Sequence, residues 1–173
     1  MSNAKNEPVY VFSAEDAGKA AQEWGANCGP MALAMSLGRH IREIRGAIPG
    51  FDQKGYTSPT MMAGALSNLG VPVKREVKGT QARSAKWSDW PDRGLVRIQW
   101  SGPWTAPGTN GRWAYCFTHW VASLRTEKGF WIFDCNTGWS DPGYWILHAV
   151  PAITQTIKRA DGGWFATHLW ELG

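Results

Sequence analysis

Pro30 to Leu37, PMALAMSL, is apolar around nearly its whole circumference rather than along one stripe. A helix with that pattern cannot lie on a surface, so the rest of the chain has to enclose it. Pro30 suits the first helical position, where a missing N–H costs nothing, and Gly38 supplies the stop. At the mouth of this helix stands Cys28, between Asn27 and the Gly29-Pro30 pair, and it is one of only 3 cysteines.

The flanking elements follow from caps and periodicity. Val9 to Phe12 reads as a short strand, and Ser13 with Asp16 as a capping box opening a helix through about Glu23, ended by Gly25. Residues 40–47 read as a further short helix. Ser58-Pro59 opens another, carrying Met61, Met62, Ala65, Leu66 and Leu69 before Gly70. Beyond it the period changes from 3.6 to 2, with strands expected at Val71 to Val77, Leu95 to Trp100, Thr118 to Arg125 and Phe130 to Asp134. Residues 101–113, SGPWTAPGTNGRW, form a turn-rich loop. A helix is expected from Pro142 toward Lys158, kinked or divided by Pro151, and Trp164 to Leu172 closes the sheet.

Helices first and strands after imply an α+β domain, with a helical part and its buried helix packed on an antiparallel sheet. A chain of 173 residues, 43% hydrophobic, fills one core rather than two, so 5–173 reads as a single domain, with Met1 to Ala4 set aside. The net charge of +4 is dispersed, without the basic run of a nucleic-acid arm. No apolar run approaches the roughly 18 residues of a membrane span, and no signal-like stretch opens the chain. The expectation is a cytoplasmic protein with neither a nucleic-acid site nor a membrane partner. An odd cysteine count without a secretory signal argues against a disulfide framework.

That leaves the chemistry of Cys28. Unpaired N–H groups and the positive end of the dipole at a helix N-terminus stabilise a thiolate, the nucleophilic form; burial as a small hydrophobe is the bland alternative. A base is available at His119, which begins one strand of a hairpin turning near Thr126 to Gly129. Alternation puts His119, Val121 and Ser123 on one face of that strand, and Ile132, Asp134 and Asn136 on one face of the next. His119 thus falls opposite, or one diagonal step from, Asp134 or Asn136. A histidine held by an acid or amide and paired with a cysteine is the logic of nucleophile, base and orienter. Asp134 is preferred because an ionised acid better stabilises imidazolium, with Asn136 as the alternative.

Gln22, Cys28 in NCGP at a helix start, His119-Trp120-Val121 opening a strand, and Asp134 or Asn136 ending the next resemble the papain-like cysteine peptidase superfamily. NCGPMALA resembles its bacterial leader-peptide-processing branch, and the interval from His119 to Asp134 resembles Josephin-type deubiquitinases. More narrowly, NCGP with GYTSPTMMAGAL, IQWSGPW, THWVAS and IFDCNTGW resembles uncharacterised papain-like proteins of tailed bacteriophages and prophages. The resemblance implies a papain-like fold and a thiol hydrolase acting on peptide or isopeptide bonds. It implies Cys28, His119 and Asp134 as catalytic residues, Gln22 as an oxyanion donor, a protein or peptide substrate and no cofactor. A phage origin would place the protein in the bacterial host cytoplasm.

Gln22 nevertheless falls on the polar face of the expected first helix, with Glu15 and Gly18. Among enzymes, a cysteine amidase or acyl transferase would use the same groups. Two other rivals use different features. Cys116 and His119 have C-x2-H spacing, and with Cys28 and Cys135 could make a Cys3His zinc set, but alternation sends Cys135 away from Asp134 and Cys116 away from His119. Of 12 tryptophans, Trp87, Trp90, Trp100, Trp104 and Trp113 crowd one third of the chain, which suits a non-catalytic papain-like binding protein with a Trp-rich groove. Packing is the competing explanation for most of them.

Overall fold

The computed structural model describes residues 8–25, 27–109 and 116–173. Helix α1 spans Ala14–Trp24, with Ser13 and Asp16 closing the expected capping box and Gly25 ending it at positive φ. Helix α2 spans Cys28–Leu37, and every residue from Gly29 to Ser36 is buried, as its all-round apolar surface requires. Two short helices follow, α3 at Ile41–Arg45 and α4 at Phe51–Lys54, and then α5 at Pro59–Asn68, capped by the Ser58 hydroxyl. Residues 9–12 form no strand but an irregular lead-in to α1, on which the Tyr10 hydroxyl accepts from Trp139 N–H.

The strands are β1 (Val73–Lys78), β2 (Arg93–Trp100), β3 (Thr118–Thr126), β4 (Gly129–Asp134), β5 (Gly138–Ser140) and β6 (Trp164–Leu172), with a single turn of helix, α6, at Thr80–Arg83. They form one six-stranded sheet in the order β1-β6-β2-β3-β4-β5, with every neighbouring pair antiparallel. The domain is therefore α+β. The last strand does not close an edge: β6 lies between β1 and β2. The loop after β2 contains a 3₁₀ turn at Pro103–Thr105, and its end, with Trp113, falls outside the described residues.

Alternation along the strands divides the core between the two faces of the sheet. Leu95, Trp120, Ala122, Phe133 and Trp170 pack with α1, α2 and α5, while Val96, Ile98, Trp100, Val121, Ile132 and Leu169 pack with Trp145, Ala149 and Val150 on the other face. Two ties fix α2 on the first face. Near its C-terminal end the Ser36 hydroxyl donates to Gly94 O and Arg93 Nε donates to Ser36 O. At its mouth Gly29 touches the Thr57 side chain so closely that a Cβ has no room, and Thr57 O in turn accepts from Trp120 Nε1 at 2.8 Å. The mouth of α2 is thereby set against the start of β3.

The expected helix after residue 142 exists, but its division differs. Helix α7 runs from Pro142–Tyr144 through a π-helical stretch, Trp145–Ala149, into Val150–Thr156. Pro151 does not break it. Proline cannot donate to the carbonyl four residues back, and the widened turn, with Val150 N–H bonded to Trp145 O, absorbs that loss just ahead of it.

Of the clustered tryptophans, the four among the described residues pack into the core. Trp90, Trp100 and Trp104 are buried, and half-buried Trp87 packs against Trp90, Trp145 and Trp164. Among the described residues no helix is long and apolar enough to cross a membrane.

Candidate active site

Cys28 is the first residue of α2. No side chain caps this helix: Pro30 has no N–H, the Met31 N–H is taken by the Asn27 carbonyl, and the Cys28 and Gly29 N–H groups at its mouth have no side-chain cap. His119 is the second residue of β3 and is buried. The β3–β4 register, with Ala122 opposite Phe133, continues to place Asp134 across from Val121, one diagonal step from His119 on the same face. His119 Nε2 lies 3.1 Å from Asp134 Oδ1; the N–H direction is off the ideal line, so the contact is an ion pair more than a hydrogen bond. That leaves Nδ1 for the Cys28 thiol, with which the imidazole shares a hydrogen bond and charge.

Asp134 is fully buried, and both its oxygens are held. Oδ1 also accepts from Asn136 N–H at 2.9 Å and Asn136 Nδ2 at 3.0 Å, and Oδ2 accepts from Trp145 Nε1 at 3.0 Å. The acid therefore stands at His119, and Asn136 stands behind the acid. Trp100 covers the imidazole, with ring centroids 6.1 Å apart and planes tilted by 34°. Trp139 packs on Phe133 on the opposite face.

The electrostatics follow from these contacts. Burial pushes the Cys28 thiol up, but the hydrogen bond and charge of His119, with the Trp120 backbone N–H, outweigh it, and the thiol ends below its ordinary value. Burial lowers His119, while the Asp134 charge and the Cys28 thiolate raise it to about 10. Asp134 is pushed up by burial and pulled down further by His119 and its N–H donors, to about 2. At neutral pH His119 is an imidazolium and Asp134 a carboxylate, and the Cys28 thiol beside them is shifted toward its anion. Cys28 keeps partial solvent access although protein surrounds its sulfur on most sides.

Asp134, depressed from 3.8 to about 2, stabilises the fold above pH 4 by about 2 kcal/mol, a contribution lost as pH falls from about 4 toward 2. The urea midpoint is expected to drop across that window. In Trp145→Phe, which keeps an aromatic ring and removes one N–H donor to the carboxylate, the folded value of Asp134 rises toward the unfolded one, so the drop should be smaller and end at higher pH; an unchanged acid limb would deny Trp145 any hold on Asp134. Sequence reading missed Trp145, because only the π-helical widening of α7 brings it to the carboxylate.

Gln22 is not brought to the others. It lies exposed in the last turn of α1, where Trp24 is the buried residue, and no hydrogen bond joins it to Cys28 among the described residues; Ala26, in the connecting loop, lies outside them. Cys116 is exposed and is not among the clustered ligand atoms of His119, Asp134 and Cys135. Cys135 is not apart. The strand ends at Asp134, the turn after it breaks the alternation, and the Cys135 sulfur comes within 4.8 Å of ligand atoms of His119 and Asp134, contrary to the expectation that it faces away. Burial, then the charges of Cys28 and Asp134, push its thiol far up.

Beside these residues a cavity of about 400 Å³ opens between α1 and the β4–β5 turn, lined by Tyr10, Phe12, Met31, Phe133 and Asn136 among others, with no charged side chain among them. The chain matches no family model and no curated protein.

Proposed function

We propose that the protein is a papain-like cysteine hydrolase, a peptidase or isopeptidase, with Cys28 as nucleophile, His119 as general acid and base, and Asp134 as orienter. The observation that carries this reading is the junction of a helix-mouth thiol, pushed below its ordinary value, with a buried imidazole paired at 3.1 Å to a fully buried carboxylate. A merely structural thiol has no need of that pairing. The order of Cys28, His119 and Asp134 along the chain, and their resemblance to the papain-like superfamily, point the same way.

In this reading the Cys28 thiolate adds to the substrate carbonyl, and the N–H groups at the mouth of α2 receive the developing oxyanion. The His119 imidazolium then gives its proton to the departing amine, leaving a thioester on Cys28. Neutral His119 takes a proton from water, hydroxide displaces the thiolate, and the carboxylic acid leaves. Asp134 holds the imidazole in place throughout and offsets its charge.

A peptidyl vinyl sulfone tests this directly. An adduct on Cys28 in the folded protein, lost in His119→Ala, supports the reading; reaction only after unfolding refutes it.

The exposure of Gln22 favours a second reading, a non-catalytic papain-like binding protein, because a hydrolase in this scheme gains from a second oxyanion donor. Turnover of a peptidyl ester separates the two, since a binding protein gives none. With the helix-mouth N–H groups serving alone, Gln22→Ala should change that turnover by less than about threefold. A loss of roughly 10²- to 10³-fold, the usual cost of an oxyanion donor, would mean that Gln22 turns inward when substrate binds.

A further inference from the structure

Cys135 has no part in the proposed chemistry, yet it stands against it. Its sulfur, an imidazole nitrogen of His119 and a carboxylate oxygen of Asp134 all lie within 4.8 Å of one another. This is one sulfur, one nitrogen and one oxygen donor, the three ligand types that zinc accepts. Three protein ligands with a fourth position left for water is also the ligand count of open zinc sites. Bond lengths of about 2.0–2.3 Å put tetrahedral ligands roughly 3.3–3.8 Å apart, so the cluster must close by about 1 Å. Cys135 can supply that movement, since it follows the end of β4 and is only partly buried. The shell behind the ligands already exists: Asn136 and Trp145 hold the Asp134 carboxylate, as outer-shell donors do in metal sites.

We propose that His119, Asp134 and Cys135 form an inhibitory binding site for a thiophilic divalent cation, for which Zn²⁺ is the probe. Cys135 enters as the thiolate and its proton passes to water. The metal stands between His119 and Asp134, so the imidazole can no longer carry a proton for Cys28. That inhibitory consequence rests on the hydrolase reading; the binding itself does not.

The test uses the metal-free full chain titrated with Zn²⁺ against a chromophoric chelator, and with Co²⁺ in absorbance. One equivalent of Co²⁺ should give a tetrahedral spectrum with a thiolate-to-metal charge-transfer band. The band should persist in Cys28→Ser and vanish in Cys135→Ser. Outer-shell partners alone account for 10–100-fold in metal affinity, so Cys135→Ser is expected to weaken Zn²⁺ binding by about 100-fold or more. Alkylation of Cys28 without metal should be the same in Cys135→Ser as in the unsubstituted chain. Equal Zn²⁺ affinity in Cys135→Ser, or a band that follows Cys28 instead, overturns the site. Slow alkylation of Cys28 alongside intact metal binding would count against the hydrolase reading and leave the metal site standing.

Discussion

Asp134→Ala is expected to lower the rate at which Cys28 turns over a substrate by about 10³- to 10⁴-fold, with the far-ultraviolet circular dichroism retained. The carboxylate does two things that no neighbour can replace. It fixes which imidazole nitrogen faces Cys28, since Nε2 is engaged 3.1 Å from Oδ1. It also offsets the positive charge that His119 must carry in a buried place, and is the largest influence raising that histidine. Without it only Cys28 opposes burial, the imidazole holds its proton less firmly, and the thiol loses much of the charge that keeps it below its ordinary value. Asn136→Ala removes only the Nδ2 donor to Oδ1, while the Asn136 backbone N–H stays, so its cost should be about ten-fold or less. The reverse ranking, measured as turnover of a peptidyl ester side by side, would move the orienting role to Asn136.

The contrast between these two residues also shows how far sequence reasoning reached. Alternation with period two and a short turn were enough to bring His119 and Asp134 to one face, because antiparallel pairing leaves few registers once the turn at Thr126 to Gly129 is placed. The all-round apolar run after Cys28 was enough to bury α2 and leave its first residue at an open end. Those arguments fail where regular structure stops. Cys135 is one residue past the end of β4, and alternation extended across that boundary sends its sulfur the wrong way. Trp145 reaches Asp134 through a π-helical widening that no apolar period announces. Val9 to Phe12 has strand-like composition without a strand partner, and its contacts are with the β4–β5 region through Tyr10 and Phe12. The Trp-rich third of the chain is legible as hydrophobic, but which face of the sheet it covers depends on β6 entering between β1 and β2, a long-range pairing.

Iodoacetamide at pH 6 is expected to modify Cys28 at least about 100-fold faster than Cys135, and faster than Cys116 as well. Access alone predicts the opposite order, since Cys116 is the exposed thiol and Cys28 is only partly open. Thiolate content decides otherwise: Cys28 is held below its ordinary value by His119, whereas burial and the charges of Cys28 and Asp134 keep the Cys135 proton in place. The sign of the pH dependence follows. As pH falls, Cys28 labelling should persist through the range where an ordinary thiol, near 8.5, has already lost its anion, and decline only when pH passes through the lowered value of Cys28 itself. As pH rises through about 10, His119 loses its proton. The thiolate remains, so labelling continues, but the acid that must protonate a departing amine is gone. Labelling and turnover should therefore share their acid limb and part on the alkaline side, where turnover falls and labelling does not. Parallel curves on both sides would mean that His119 supports the thiolate without transferring a proton, and labelling of Cys116 first would leave Cys28 an ordinary buried thiol.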